Sequence, residues 1–191
     1  RTPDLAVGAP GDDGSGSLGF QNPGAVYILM MNRDGTVKRT QEVSSVSGIS
    51  RSLGIGKIRD NDRFGESVGA IGDINDDGYD DVAVGAPAAA TVCVVFGNEY
   101  MRNDDAPAEY KCDDLDPDSD NSPGFMTFTS SEGGDKDSEE RYIGVAVSAA
   151  GDVNGDSYAD FLVGAPGVDH GSGMVYILSL IHISEPTRPS V

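Results

Sequence analysis

The segment Asp73-Ile74-Asn75-Asp76-Asp77-Gly78-Tyr79-Asp80-Asp81 recurs as Asp152-Val153-Asn154-Gly155-Asp156-Ser157-Tyr158-Ala159-Asp160. Each copy runs directly into a short apolar stretch ending in Gly-Ala-Pro: Val82-Ala83-Val84-Gly85-Ala86-Pro87 and Phe161-Leu162-Val163-Gly164-Ala165-Pro166. A third such ending opens the chain, Asp4-Leu5-Ala6-Val7-Gly8-Ala9-Pro10, so the prolines stand 77 and 79 residues apart. A segment that returns at a fixed period with its flanks intact is one unit of a repeat architecture. The fold must therefore stack similar units side by side.

Both nonapeptides place oxygen-bearing side chains at loop positions 1, 3, 5 and 9. Alternating carboxylates and amides on a tight loop make a cage for a hard cation, and Ca²⁺ is the usual occupant. A helix–loop–helix calcium site would need a bidentate Glu at position 12. That position holds Val84 and Val163, inside the apolar runs. The flanks read as strands, rich in Val, Ile, Ala, Phe and Leu. The expectation is a strand–loop–strand calcium site closed by the carboxylate at position 9. The expected side-chain ligands are Asp73, Asn75, Asp77 and Asp81, and Asp152, Asn154, Asp156 and Asp160. The backbone carbonyls of Tyr79 and Tyr158, at position 7, complete each shell. Asp4 occupies the position 9 slot of a loop whose other ligands are missing. An acidic turn without a metal would explain one copy, since turns favour Asp, Asn and Gly; it explains two matched copies poorly. Ser157 stands where the first loop has Gly78, a place that suits positive φ, so the second loop is expected to bind more weakly.

Arg63-Phe64-Gly65 and Arg141-Tyr142-Ile143-Gly144 lie upstream of the loops. In the middle unit strands are expected at Ser67–Gly72, Asp81–Gly85, Thr91–Phe96 and Phe125–Thr129. The Asp34-Gly35 turn should close a tight hairpin in the first unit. Phe-Gly, acidic loop and Gly-Ala-Pro in that order resemble the FG-GAP repeat of the integrin α-subunit β-propeller, which is also found in secreted bacterial and algal proteins. The resemblance covers residues 1–178 and departs from the pattern at Tyr142-Ile143-Gly144 and at Ser157. The expected fold is all-β: a β-propeller fragment built of four-stranded antiparallel blades. The expected organisation is an incomplete blade over 1–58, a complete blade over 59–136 and an incomplete blade over 137–178. The resemblance further implies that the calcium loops lie on the propeller face opposite the one usually used for ligands. Recognition would then fall to 11–23, 47–62, 130–140 and 167–173. The tail 179–191, with Leu180-Ile181-His182-Ile183-Ser184-Glu185-Pro186-Thr187, resembles the conceptual translation of a sequencing adapter and is set aside.

The net charge of −19 argues against nucleic acid or anionic membrane as partner. Acidity of this kind fits a calcium-rich extracellular setting, secreted or at the cell surface. No apolar run reaches the length that spans a bilayer, so direct membrane insertion of this segment is not expected. Cys93 and Cys112 are the only cysteines. A bridge between them inside one blade is geometrically allowed; the alternative is that Cys93 is a small apolar core residue. Histidine occurs only at 170 and 182, and no nucleophile elbow or phosphate loop is present. The chain therefore reads as a non-enzyme. Its resemblance to integrin α implies a module for adhesion or for recognition of an extracellular protein or matrix ligand. Two alternatives stand beside it: an accessory propeller of a secreted enzyme, such as a glycosylphosphatidylinositol-specific phospholipase, and a structural repeat of a bacterial or algal surface protein.

Overall fold

A computed structural model of the chain describes residues 3–13, 22–44, 61–99, 101, 109–111, 125–129, 142–167 and 172–179. These residues form three β-sheets. The middle sheet holds β4 (Ser67–Gly72), β5 (Asp81–Ala86), β6 (Thr91–Val95) and β8 (Phe125–Thr129) in the order β4-β5-β6-β8, antiparallel throughout. This is the expected four-stranded unit, each strand within a residue of its expected bounds. The third sheet has three antiparallel strands in the order β11-β10-β9: β9 (Ala146–Gly151), β10 (Asp160–Ala165) and β11 (Met174–Leu178).

The first sheet consists of β1 (Leu5–Ala9), β2 (Ala25–Met31), β3 (Val37–Ser44) and β7 (Glu109–Lys111), in the order β1-β2-β3-β7. Its first three strands are antiparallel. They match the second, third and fourth strands of the repeat. The fourth member, β7, pairs parallel to β3 and comes from the sequence of the middle unit. It covers backbone groups that the edge of β3 would otherwise present to solvent. A four-stranded antiparallel blade is thus realised once. The other two sheets have three antiparallel strands each, and the described residues do not close a ring.

Local chemistry accounts for the elements. Val and Ala dominate β5 and β6 and suit a pleated surface buried on both faces. β2 and β3 are joined at Asn32–Thr36, where the Asn32 amide donates to Thr36 O (2.8 Å) and the Gly35 amide to Asn32 O (3.1 Å). Gly35 sits at φ 84°, which only glycine adopts without cost. Asp34 accepts from the Thr36 amide (3.0 Å) and hydroxyl (2.6 Å), which hold its carboxyl below the usual range.

Two apolar seams hold the sheets together. Val26, Met30 and Val43 of the first sheet pack with Phe64, Val84, Cys93 and Val95 of the middle unit. Ala83, Val92 and Val94 on the opposite face of the middle sheet pack with Ile143, Phe161, Val163 and Ala165. A column of glycines fastens both seams. A Cβ on Gly8 would run into the carbonyl oxygen of Gly65, and a Cβ on Gly85 into that of Gly144. The Gly65 amide in turn donates to Gly85 O, and the Gly144 amide to Gly164 O, each at 3.0 Å. The two glycines of the motif are therefore contacts between successive sheets. Ile143 fills the buried position that Phe64 fills one repeat earlier, and Tyr142 beside it is exposed. The departure from Phe-Gly is a substitution of one apolar plug for another.

Of the two readings of Cys93, the bridge to Cys112 is not supported. Cys93 is a buried thiol in the seam between the first and middle sheets, its Sγ 4.0 Å from Val94 O, and it packs as a small apolar residue. Cys112, His170, His182, the tail from 180 on and most of the four segments expected to carry recognition lie outside the described residues.

Candidate metal loops

Each acidic loop leaves its sheet through a glycine at positive φ, Gly72 (79°) or Gly151 (70°), and returns at the first residue of the next strand. Between them the two loops make the same bonds. Asp73 Oδ1 accepts from the Asp77 amide (3.0 Å) and Oδ2 from the Gly78 amide (2.8 Å). Asp152 does the same with the amides of Asp156 (3.0 Å) and Ser157 (2.8 Å), and also accepts from Gly155 (2.6 Å). The amides of Tyr79 and Tyr158 donate to Asp77 Oδ1 and Asp156 Oδ1, both at 2.9 Å. Asn75 Nδ2 donates to Asp77 Oδ2 (3.0 Å) and Asn154 Nδ2 to Asp156 Oδ2 (2.5 Å). Donation by the Ser157 and Gly155 amides, followed by that of Asp156, holds the Asp152 carboxyl below the usual carboxylate range. Positions 1, 3 and 5 thus fold each loop around their own oxygens.

The carboxylates at position 9 are different. Asp81 and Asp160 are fully buried. Their Oδ2 atoms accept from the amides of Ile74 and Val153, both at 2.9 Å. Asp81 Oδ1 accepts from the Gly97 amide (2.8 Å), at the far end of β6. Asp4 makes the matching bond to the Met31 amide (3.0 Å) at the end of β2. Asp81 and Asp4 therefore clamp two strands together, and Asp81 also closes its own loop. Among the described residues Asp160 Oδ1 is buried without a hydrogen-bond partner. Burial pushes the Asp81 carboxyl up to about 7; the Ile74 and Gly97 amides oppose that, and the charges of Asp77 and Asp73 add to it.

Among the described residues no three acidic, His or Cys side chains converge as a finished metal cage. Asp73 and Asp77 are turned onto loop amides, with Asp81 on the inner wall. The donor set nonetheless suits a hard cation: every side-chain group is an oxygen ligand, the charges of Asp77 and Asp73 act on Asp81, and among the described residues one buried carboxylate oxygen in the second loop has no donor.

Sequence reasoning placed the loops and their closing residues but missed two things. The Gly97 and Met31 amides come from another strand and have no mark in the loop itself. The second is the distribution of strain. Position 4 as well as position 6 takes positive φ: Asp76 (59°) and Gly78 (88°) in the first loop, Gly155 (80°) and Ser157 (76°) in the second. Each loop carries one glycine and one strained residue, in swapped places. The signal was readable, since Gly155 faces Asp76 in the repeat alignment.

The loops join strands one and two of units whose Phe-Gly and Gly-Ala-Pro glycines meet across the seams. Residues 64–98 and 144–178 each match the FG-GAP repeat. The chain carries two FG-GAP repeats. Its similarity to curated proteins points to one group. It is 35% identical to mouse integrin alpha-E over 146 residues, 74% of this chain and 10% of that protein. It is 31% identical to integrin alpha-PS5 of Drosophila melanogaster over 109 residues, 56% of this chain and 9% of that protein. With mouse integrin alpha-3 it shares 28% over 164 residues, 85% of this chain and 12% of that protein. The FG-GAP chain thus spans about a tenth of the length of these relatives. No helix among the described residues is long and apolar enough to cross a membrane.

Proposed function

We propose that this chain is part of a calcium-binding extracellular β-propeller of the integrin α kind, a binding module for a protein or matrix ligand and not an enzyme. The observation that carries the reading is the duplicated loop. Two segments 79 residues apart in sequence make the same side-chain to backbone bonds around the same oxygens. Both close on a buried aspartate, and in the second loop one oxygen of that aspartate has no donor among the described residues. The proposed ligands are Asp73, Asn75, Asp77, Tyr79 O and Asp81 in one loop, and Asp152, Asn154, Asp156, Tyr158 O and Asp160 in the other. The proposed blades run over 1–58, 59–136 and 137–178, with 179–191 outside the repeat. Binding Ca²⁺ would draw the Asp73 and Asp77 carboxylates off the loop amides and relieve their repulsion with Asp81. The cation would then serve stability of the scaffold, and recognition would fall to the connections away from the loops.

Isothermal titration with CaCl₂ tests this directly. Two sites are expected, one lost in Asp77→Ala, the other in Asp156→Ala, and none left in the double variant. Absence of calcium-dependent heat in the folded wild-type chain would overturn the reading. For recognition, replacing 11–23 by a short Gly-Ser turn should leave calcium affinity intact and weaken capture of an integrin-type extracellular ligand.

A further inference from the structure

The two acidic loops differ at the residue that follows their position 3 asparagine. Of the eight asparagines in the chain, Asn154 alone is followed by glycine; its counterpart Asn75 is followed by Asp76. The backbone nitrogen after an asparagine can attack the side-chain carbonyl carbon, and a side chain on that next residue obstructs the attack; glycine has none. The second loop adds contacts that suit this step. Asn154 and Gly155 are exposed, so water reaches both. The Gly155 amide, whose nitrogen would attack, donates to Asp152 Oδ1 (2.6 Å). Asn154 Oδ1 accepts from the Asp156 amide (3.0 Å), which folds the side chain back along the peptide that follows it. In the first loop Asp73 accepts from the amides of Asp77 and Gly78, beyond Asp76, and the Asp77 amide stands farther from Asn75 Oδ1, at 3.3 Å.

We propose that Asn154 is a site of spontaneous deamidation assisted by its own loop, with Gly155 N as nucleophile, Asp152 as proton acceptor and the Asp156 amide as donor to the developing oxyanion. A bond forms from Gly155 N to Asn154 Cγ, and the proton on that nitrogen passes to Asp152 Oδ1. The charge that builds on Asn154 Oδ1 is held by the Asp156 amide. Collapse breaks the Cγ–Nδ2 bond. The side-chain nitrogen leaves as ammonia, carrying off the proton that Asp152 held, and a five-membered succinimide remains. Water then opens the ring at either carbonyl. One opening leaves an ordinary aspartate at position 154, a fourth carboxylate in the loop beside Asp152, Asp156 and Asp160. The other leaves a β-linked aspartate, which lengthens the main chain by one methylene between Asp152 and Asp156. Asn75 lacks the glycine and should be spared. This chemistry belongs to the metal-free loop and needs no bound calcium.

Peptide mapping by mass spectrometry on the folded chain, held in chelator at neutral pH, reads the exchange of side-chain NH₂ for OH at each asparagine. An isoaspartyl methyltransferase assay counts the β-linked product. Asn154 should convert several-fold faster than Asn75, and several-fold faster in the folded chain than in a free peptide spanning 148–160, which has the dipeptide without the loop. Asp152→Asn, in a chain whose strand content is unchanged by circular dichroism, should bring the rate down to that of the peptide. A folded wild-type chain that converts no faster than the peptide would overturn the proposal. So would equal rates at Asn75 and Asn154, or an Asp152→Asn chain that reacts as the wild type does. Saturating CaCl₂ should slow the conversion, since a cation on Asp152 withdraws the proton acceptor. A rate that calcium leaves unchanged would count against the cation at this loop, while the measurements in chelator still decide the modification.

Discussion

The two acidic loops differ less than their sequences suggest and more than their hydrogen bonds suggest. Along positions 1 to 7 they are near copies, and the strained residue has merely moved from Asp76 to Ser157. At position 9 they part. Among the described residues Asp81 is held by two amides, from Ile74 and Gly97, and Asp160 by one, from Val153. The lesson is that a loop's own sequence fixes its turn, while the strand across the sheet decides how firmly its closing carboxylate is anchored.

The largest expected effect is common to both loops and would break the comparison if it were not. Calcium at a hundredfold excess over its dissociation constant should add about 2.7 kcal/mol per site that only the folded chain offers. Differential scanning fluorimetry with calcium and with chelator reads this. An unchanged midpoint would leave the loops as metal-free turns.

Next comes the anchoring. In chelator, Asp81→Ala leaves two backbone donors without an acceptor and Asp160→Ala leaves one, at about 1–3 kcal/mol each. Urea unfolding should therefore rank Asp81→Ala as the more damaging. Equal losses would mean that the Gly97 bond contributes nothing.

Proton linkage sharpens the contrast further. Asp81 titrates at about 7 in the folded, metal-free chain, above its unfolded value of 3.8. Its contribution to stability is then fully present below about pH 4 and is lost as the pH rises through 7. Asp152 works in the opposite sense: its lowered carboxyl contributes above the usual carboxylate range, and that contribution is lost as the pH falls. Calcium must displace the proton from Asp81, so affinity of the first loop should rise between pH 6 and 8. Titration of Asp156→Ala, which keeps only that loop, measures it. A flat profile would show that Asp81 is ionised throughout.

The smallest effect concerns strain. Ser157→Gly and Asp76→Gly should each stabilise by a few tenths of a kcal/mol up to about 1, with Ser157→Gly the larger. Asp tolerates φ near 59° better than Ser tolerates 76°. Thermal unfolding of the two variants decides the order.

Much of this was legible in the sequence. Alternation and repeat spacing placed the middle strands, and the period marked Gly8, Gly85 and Gly164 as equivalents. The glycines' purpose was not legible, because a close approach between sheets leaves no trace in either partner alone. Nor was the partner of Asp81, since Gly97 lies 16 residues away, just beyond the end of β6. The swap of glycine between positions 4 and 6 was visible but carried weight only once both φ angles were known. Cys93 shows the reverse case: its place on a strand allowed a bridge, and burial in a seam made it core.

The parallel strand β7 has a consequence for how the molecule comes apart. The chain finishes β3, lays down β4, β5 and β6 of the middle sheet, goes back to the edge of the first sheet with β7, and only then completes the middle sheet with β8. The two sheets are interleaved like two clasped hands. The first sheet lacks its last strand until residue 111 has been placed and the middle sheet until residue 129, so the first cannot be completed before β4, β5 and β6 have been made. A protease cut between β3 and β4 would sever the backbone without freeing a separable piece, and the two halves should leave a column together.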